Sequence, residues 1–132
     1  MTHELTMLVY AAVLLFIMIG VQGGVGLLNN GLTWGGGARD QAAKPNVLHG
    51  RATRAVRNHI EALSMFVPIV LVLNAAGISN EATVLWTKVF IGARVAYAVL
   101  YWLGTPWART IVWAIGLVAT LMLFIQGFKP LA

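Results

Sequence analysis

Arg51, Arg54, Asn58 and Glu61 recur at spacings of three and four. That interval stacks side chains on one face of an α-helix, and Arg57 lies alongside. Arg94, Tyr97 and Tyr101 repeat the interval further on, and Arg109 follows them. Guanidinium groups present forked N–H donors that fit carboxylates, while a carboxylate such as Glu61 accepts an ammonium. If the two stripes face each other and Arg109 approaches from a neighbouring helix, they form a cationic, aromatic-walled pocket. Such a pocket suits a small ligand with carboxylates and at least one ammonium.

The elements that must carry these residues are membrane spans. Beyond Glu61 the chain runs apolar through Val67, Ile69, Val70, Leu71, Val72 and Leu73. An ionisable residue facing hydrocarbon costs at least ~2.5 to 3.5 kcal/mol on insertion scales, so a stripe of them marks a functional site. Four apolar runs, about 5–28, 55–77, 82–103 and 107–127, each reach the ~20 residues that an α-helix needs to cross a bilayer core. Of 132 residues, 59% are hydrophobic and only 10% charged, against roughly 25% charged in ordinary soluble domains. The chain therefore reads as one all-α, integral membrane four-helix domain over 1–132. Its first run is too long and too weakly flanked by basic charge for a cleavable signal peptide.

A net charge of +5 raises nucleic acid as a partner, yet the basic residues sit beside apolar spans and report topology instead. Arg39, Lys44, Arg51, Arg54 and Arg57 follow the first span and Arg109 follows the third, whereas Lys88 and Lys129 lie near the opposite ends. The positive-inside rule then puts the first and third loops in the cytoplasm and both termini outside. With no cysteine, the protein supplies neither a disulfide nor a thiol nucleophile.

Helix boundaries are legible at several points. Asn46, after Pro45, is placed to cap a second helix running to Gly77, roughly 45 Å at ~1.5 Å per residue. Its first turns stand outside the hydrocarbon, and Pro68 is expected to kink it unless neighbours satisfy the freed carbonyl. Ser79 and Asn80 open the third helix, and Thr105 with Pro106 reads as the cap and first residue of the fourth, with Arg109 in its first turn. The segment from Asn29 to Pro45, with Gly35, Gly36 and Gly37, reads as slack linker rather than a lid. Gly20 with Gly24, and Gly92 with Ala96, form small-xxx-small pairs suited to close helix packing.

Each residue also has a plainer reading. Arg51 and Arg57 taken singly are headgroup anchors. Arg54 or Arg94 with Glu61 makes a structural ion pair within the membrane. Tyr97 and Tyr101 alone suit interfacial packing, and the tryptophans an interface belt. His49 and His59 lack partners at a metal-ligand spacing, so no metal is expected.

The run from Arg51 to Glu61, followed by Phe66 and Pro68, resembles the signature of the MAPEG family, the membrane-associated proteins in eicosanoid and glutathione metabolism. That signature reads approximately R-A-x-x-N-x-x-E ahead of an aromatic. Ala93 to Tyr97, then Tyr101 and Arg109, is similar to the family's second motif. The resemblance covers nearly the whole chain and is to bacterial-type members, which implies the inner membrane of a bacterium. It implies a homotrimer binding glutathione as co-substrate between subunits, with lipophilic electrophiles or lipid hydroperoxides arriving from the bilayer. By the same resemblance Arg51, Arg54, Arg57, Asn58, Glu61, Arg94, Tyr97 and Tyr101 bind glutathione. Arg109, with Tyr97 and Tyr101, would stabilise its thiolate.

Departures from the family pattern are informative. Several eicosanoid-forming members carry an arginine at the end of the first helix, where this chain has Asn29, Asn30 and Gly31; Arg39 lies further on as a candidate substitute. Gly50 stands where many relatives have an acidic residue. A glutathione transferase or peroxidase is the leading expectation, and the alternative is a non-catalytic trimer that binds glutathione or another anion or serves only as a structural membrane trimer. A small drug/proton exporter fits less well, because the first span has no acidic residue after Glu4.

Overall fold

Thr2 opens the first helix, its hydroxyl accepting from the Leu5 amide at 3.3 Å. In a computed structural model, which describes residues 1–129, the helix α1 then runs from His3 to Asn30. A one-turn α2 covers Leu32–Gly36, and α3, Val47–Ala75, follows an extended stretch. The last two elements are α4, Glu81–Leu103, and α5, Pro106–Phe128. α1, α3, α4 and α5 are 28, 29, 23 and 23 residues long and apolar enough to cross a membrane. Large side chains such as Phe16, Leu28, Leu103 and Trp107 stand 70–89% exposed on the outside. Contiguous apolar surface of this kind is tolerated in lipid rather than in water.

The caps expected from the sequence are largely present. Asn46 Oδ1 accepts from the His49 amide at 2.8 Å. Asn80 forms a capping box with Thr83 at the start of α4. Pro106 occupies the first residues of α5, although the Thr105 side chain makes no capping bond. α3 runs through Pro68 as a single element.

α3 and α4 form the middle of the bundle, each packing against both α1 and α5, whereas α1 and α5 make no direct packing contact among the described residues. Two apolar layers result. One gathers Met7, Phe66, Val70, Phe90 and Leu123, with Phe66 and Phe90 stacked at 3.7 Å between ring centres. The other gathers Leu14, Met18, Ala55, Val56 and Ala98. Between them in sequence, on each of α3 and α4, fall the polar residues His59 and Arg94, both buried.

Helix contacts differ from those expected of the small-residue pairs. A Cβ added at Gly20, Gly24 or Gly92 would meet nothing within 4 Å. Close approach occurs instead at Gly26, where a Cβ would lie 3.0 Å from His49 Nε2, and at Gly116, which faces Ala93 and the Arg94 stem.

The segment after α1 is held by its own bonds rather than hanging slack. Asn29 Nδ2 donates to the Lys44 carbonyl at 3.0 Å, and Asn30 Oδ1 accepts from the Lys44 amide at 2.6 Å. Trp34 Nε1 donates to the Gln41 carbonyl at 2.9 Å, while Arg39 donates to Gly35 O and lies over the Trp34 ring.

Gly104 ends α4 with φ +76, a conformation that carries little penalty only without a Cβ. A Cβ there would also lie 2.5–2.7 Å from the Arg51 guanidinium atoms. Gly104→Ala is therefore expected to lower stability by about 1–2 kcal/mol. Unfolding in mild detergent, compared with Gly36→Ala, is the measurement. Equal stability of the two variants would show that the α4–α5 turn tolerates the strain.

Candidate functional site

α3 shows two faces. Ala52, Ala55, Val56, His59, Phe66, Val70 and Leu73 are buried, whereas Arg54, Arg57 and Glu61 are exposed. Asn58 lies between the faces, and it is there that α3 meets α4.

The centre of the polar layer is Arg94, 2% exposed. Its Nη1 donates to Asn58 Oδ1 at 2.9 Å and its Nε to His59 Nδ1 at 3.1 Å. Its Cζ lies 4.3 Å from the centre of the Tyr97 ring, a cation–π contact that offsets part of the loss of hydration. Nη2 is buried and has no partner. An unpartnered charged donor in such a place is costly, so it marks a point where a ligand or water belongs.

Toward the α4–α5 turn the site widens. Tyr97 and Tyr101 meet edge to face at 5.4 Å. Arg54 Nε donates to the Tyr101 hydroxyl at 3.0 Å, and Arg109 Cζ lies 4.7 Å from the Tyr101 ring centre. Arg51 reaches the Trp102 carbonyl at 3.4 Å. An opening of about 290 Å³ is lined by Arg51, Arg54, Tyr101 and Arg109 together with the turn. A second, about 140 Å³, lies among Asn58, Tyr97, Arg109, Thr110 and Trp113. A third, about 150 Å³, extends between α3 and α5 past Glu61, Met65 and Arg94 toward Thr120. Asn58 and Arg109 each border two of these three spaces, which links them into one cationic, aromatic region.

Of the residues singled out in the sequence, Arg51, Arg54, Asn58, Arg94, Tyr97, Tyr101 and Arg109 come together. Arg57 and Glu61 do not turn inward. They pair with each other across one helical turn at 3.7 Å, with 83% and 64% of their side chains exposed. The structural pairs expected between Glu61 and Arg54 or Arg94 are therefore replaced by the nearer i, i+4 partner, because Arg94 already has Asn58 and His59. Glu61 still borders the cleft between α3 and α5. Arg39 is occupied at Gly35 and Trp34, and Asn29 and Asn30 serve the connecting segment. Among the described residues, no cluster of three or more His, Asp or Glu is placed to hold a metal.

Three further residues, outside the two polar stripes, have defined places. His59 has no metal-ligand partners in the sequence, yet it falls in the buried series Ala52, Ala55, Val56, His59, and that periodicity signals an inward role. Glu4 is 3% exposed, with Oε1 accepting from the Ser79 and Thr83 hydroxyls, and ties α1 to the start of α4. Trp113, read as part of an interface belt, lines two of the openings.

The sequence model of the MAPEG family matches residues 7–129, a stretch that contains every residue of this region. No curated protein and no solved structure matches the chain.

Proposed function

We propose, from the premise that this chain belongs to the MAPEG family, that it is a membrane-bound glutathione transferase or glutathione-dependent peroxidase. Many members are glutathione-dependent enzymes. The observation that carries the reading is the convergence of Arg54, Arg94 and Arg109 on the Tyr97–Tyr101 pair, with Asn58 between them. Among the described residues no salt bridge joins a carboxylate to that group; Glu61 pairs with Arg57 instead. Such a site has unspent affinity for an anionic peptide, whose carboxylates take the guanidinium forks.

The residues then divide the work. Arg94 and Arg54 hold carboxylates, and Asn58 fixes the peptide. Arg109, in the first turn of α5, adds its charge to the positive end of the helix and favours the thiolate, the reactive form of sulfur. The thiolate attacks an electrophilic carbon, forming an S–C bond as the leaving group departs. With a hydroperoxide it instead takes the terminal oxygen, an alcohol leaves, and a second glutathione reduces the sulfenate to the disulfide and water. Orientation and prepared charge lower the barrier in both cases.

The working assembly under this reading is a homotrimer, as is typical of the family. Arg54, Arg57 and Glu61 support it, because a polar stripe exposed on the flank of a membrane helix needs a neighbouring subunit to shield it from lipid. The open faces at Gly20, Gly24 and Gly92 are suited to the same contact. The engagement of Asn29 and Asn30 by Lys44 favours a second reading, a trimer that binds glutathione without turning it over, since no arginine ends α1.

The test is calorimetric titration of the protein in lipid with glutathione, with mass measurement of the same particles. Micromolar-to-millimolar binding to a trimer is expected, roughly 4–8 kcal/mol of affinity. A monomer without measurable binding would sink the proposal. A trimer that binds but conjugates no generic aromatic electrophile would select the second reading.

A further inference from the structure

His59 has no exposed surface, and both of its ring nitrogens are committed. Nδ1 faces Arg94 Nε at 3.1 Å and Nε2 faces the Ala11 carbonyl of α1 at 3.3 Å. A guanidinium has only donors, so Nδ1 must accept, and the ring proton therefore resides on Nε2 and is donated to Ala11 O. The imidazole is thus neutral and of one tautomer, and it bridges α1 and α4 from α3.

The consequence falls on Arg94. With Nε held by His59 and Nη1 by Asn58 Oδ1, the guanidinium plane is fixed, and Nη2 is left as the one nitrogen without a protein partner. The side chain borders the cleft that also contains Asn58 and Glu61. We propose that His59 is a positioning residue for glutathione recognition: it orients the Arg94 fork so that Nη2 is presented to an oxygen of the bound peptide. The proposal rests on the glutathione reading above. It adds that recognition depends on a neutral histidine acting through Arg94 and not through contact with the ligand.

A purely structural histidine and a positioning one differ in which substitution restores function. The Gln side chain has an amide oxygen to accept from Arg94 Nε and an amide N–H to replace the donor to Ala11, whereas Leu fills similar space with neither. His59→Leu is expected to weaken glutathione binding at least about tenfold while His59→Gln stays within about threefold of the native protein. In turnover the loss should appear in KM for glutathione, with kcat at saturation changed less than about threefold. The second measurement needs no variant: ¹⁵N spectra of histidine-labelled protein in lipid should show His59 as the neutral Nε2–H tautomer with Nδ1 accepting a hydrogen bond.

A protonated ring or an Nδ1–H tautomer overturns the proposal, even if His59→Leu fails to fold. So does undiminished binding by a folded His59→Leu, or an equal loss in the Gln and Leu variants. In those cases the native protein still binds glutathione, and the glutathione reading survives. Native protein that binds no glutathione removes both.

Discussion

Arg109→Ala is expected to slow thiolate attack about a hundredfold in single turnover, the usual scale for removing one prepared electrostatic donor. Glutathione affinity should fall much less. The asymmetry follows from position. Arg109 is held in the first turn of α5, its Cζ 4.7 Å from the Tyr101 ring, and borders the openings that contain Tyr97 and Asn58. There it adds to a helix N-terminus whose Thr105 side chain makes no capping bond. Both charges act most strongly on a full negative charge at sulfur, so they favour thiolate over thiol and attack over ground-state binding. Absorbance of bound thiolate against pH should show the thiol pKa raised in the variant, so that the ionised fraction appears only at higher pH. Tyr97→Phe and Tyr101→Phe are the controls, since a phenol donating to sulfur would give the same signature. A native rate retained by Arg109→Ala, with either Tyr variant slow, would transfer the role of principal activator to that phenol.

Arg94→Met is expected to lower glutathione affinity by about a hundredfold, because the charge-assisted hydrogen bond from Nη2 to the peptide, ~1.5 to 3 kcal/mol, disappears together with the orientation of Asn58. Stability should stay within about 2 kcal/mol of the native protein in either direction, since replacing a buried charge by an apolar side chain removes its desolvation cost. His59 Nδ1 and Asn58 Oδ1 lose their donor, which is the opposing term. Arg94→Lys is the informative companion. Lysine keeps the charge but lacks the planar fork that satisfies His59 and Asn58 while leaving a third nitrogen free. Equilibrium binding and thermal unfolding on the same preparations separate the two effects. Native affinity in a folded Arg94→Met would place the peptide elsewhere in the bundle.

How much of this was written in the chain differs between the fold and the site. The four spans, the Asn46 and Asn80 starts and the Pro106 start depend on local physics: hydrocarbon thickness, capping hydrogen bonds and the fixed φ of proline. Each is encoded within a few neighbouring residues and was therefore readable. The stripe of Arg54, Asn58 and Glu61 was readable for a similar reason, since spacing alone puts such residues on one helix face; the likeness to the family lay in the motifs themselves.

Spacing does not say which way that face turns. Only the packing of α3 between α1, α4 and α5 decided that Ala52, Ala55, Val56 and His59 point inward while Arg57 and Glu61 point out and pair with each other. The same packing gave Arg94 to His59 and Asn58 instead of Glu61, and turned Asn29 and Asn30 to the connecting segment. A hydrogen bond or ion pair goes to whichever partner the tertiary arrangement brings within about 3 Å. The sequence thus determined four membrane helices and which side chains could do chemistry, because those follow from residue type and period. Their partners were decided by the bundle, because partnership is a matter of distance between helices that are remote in sequence.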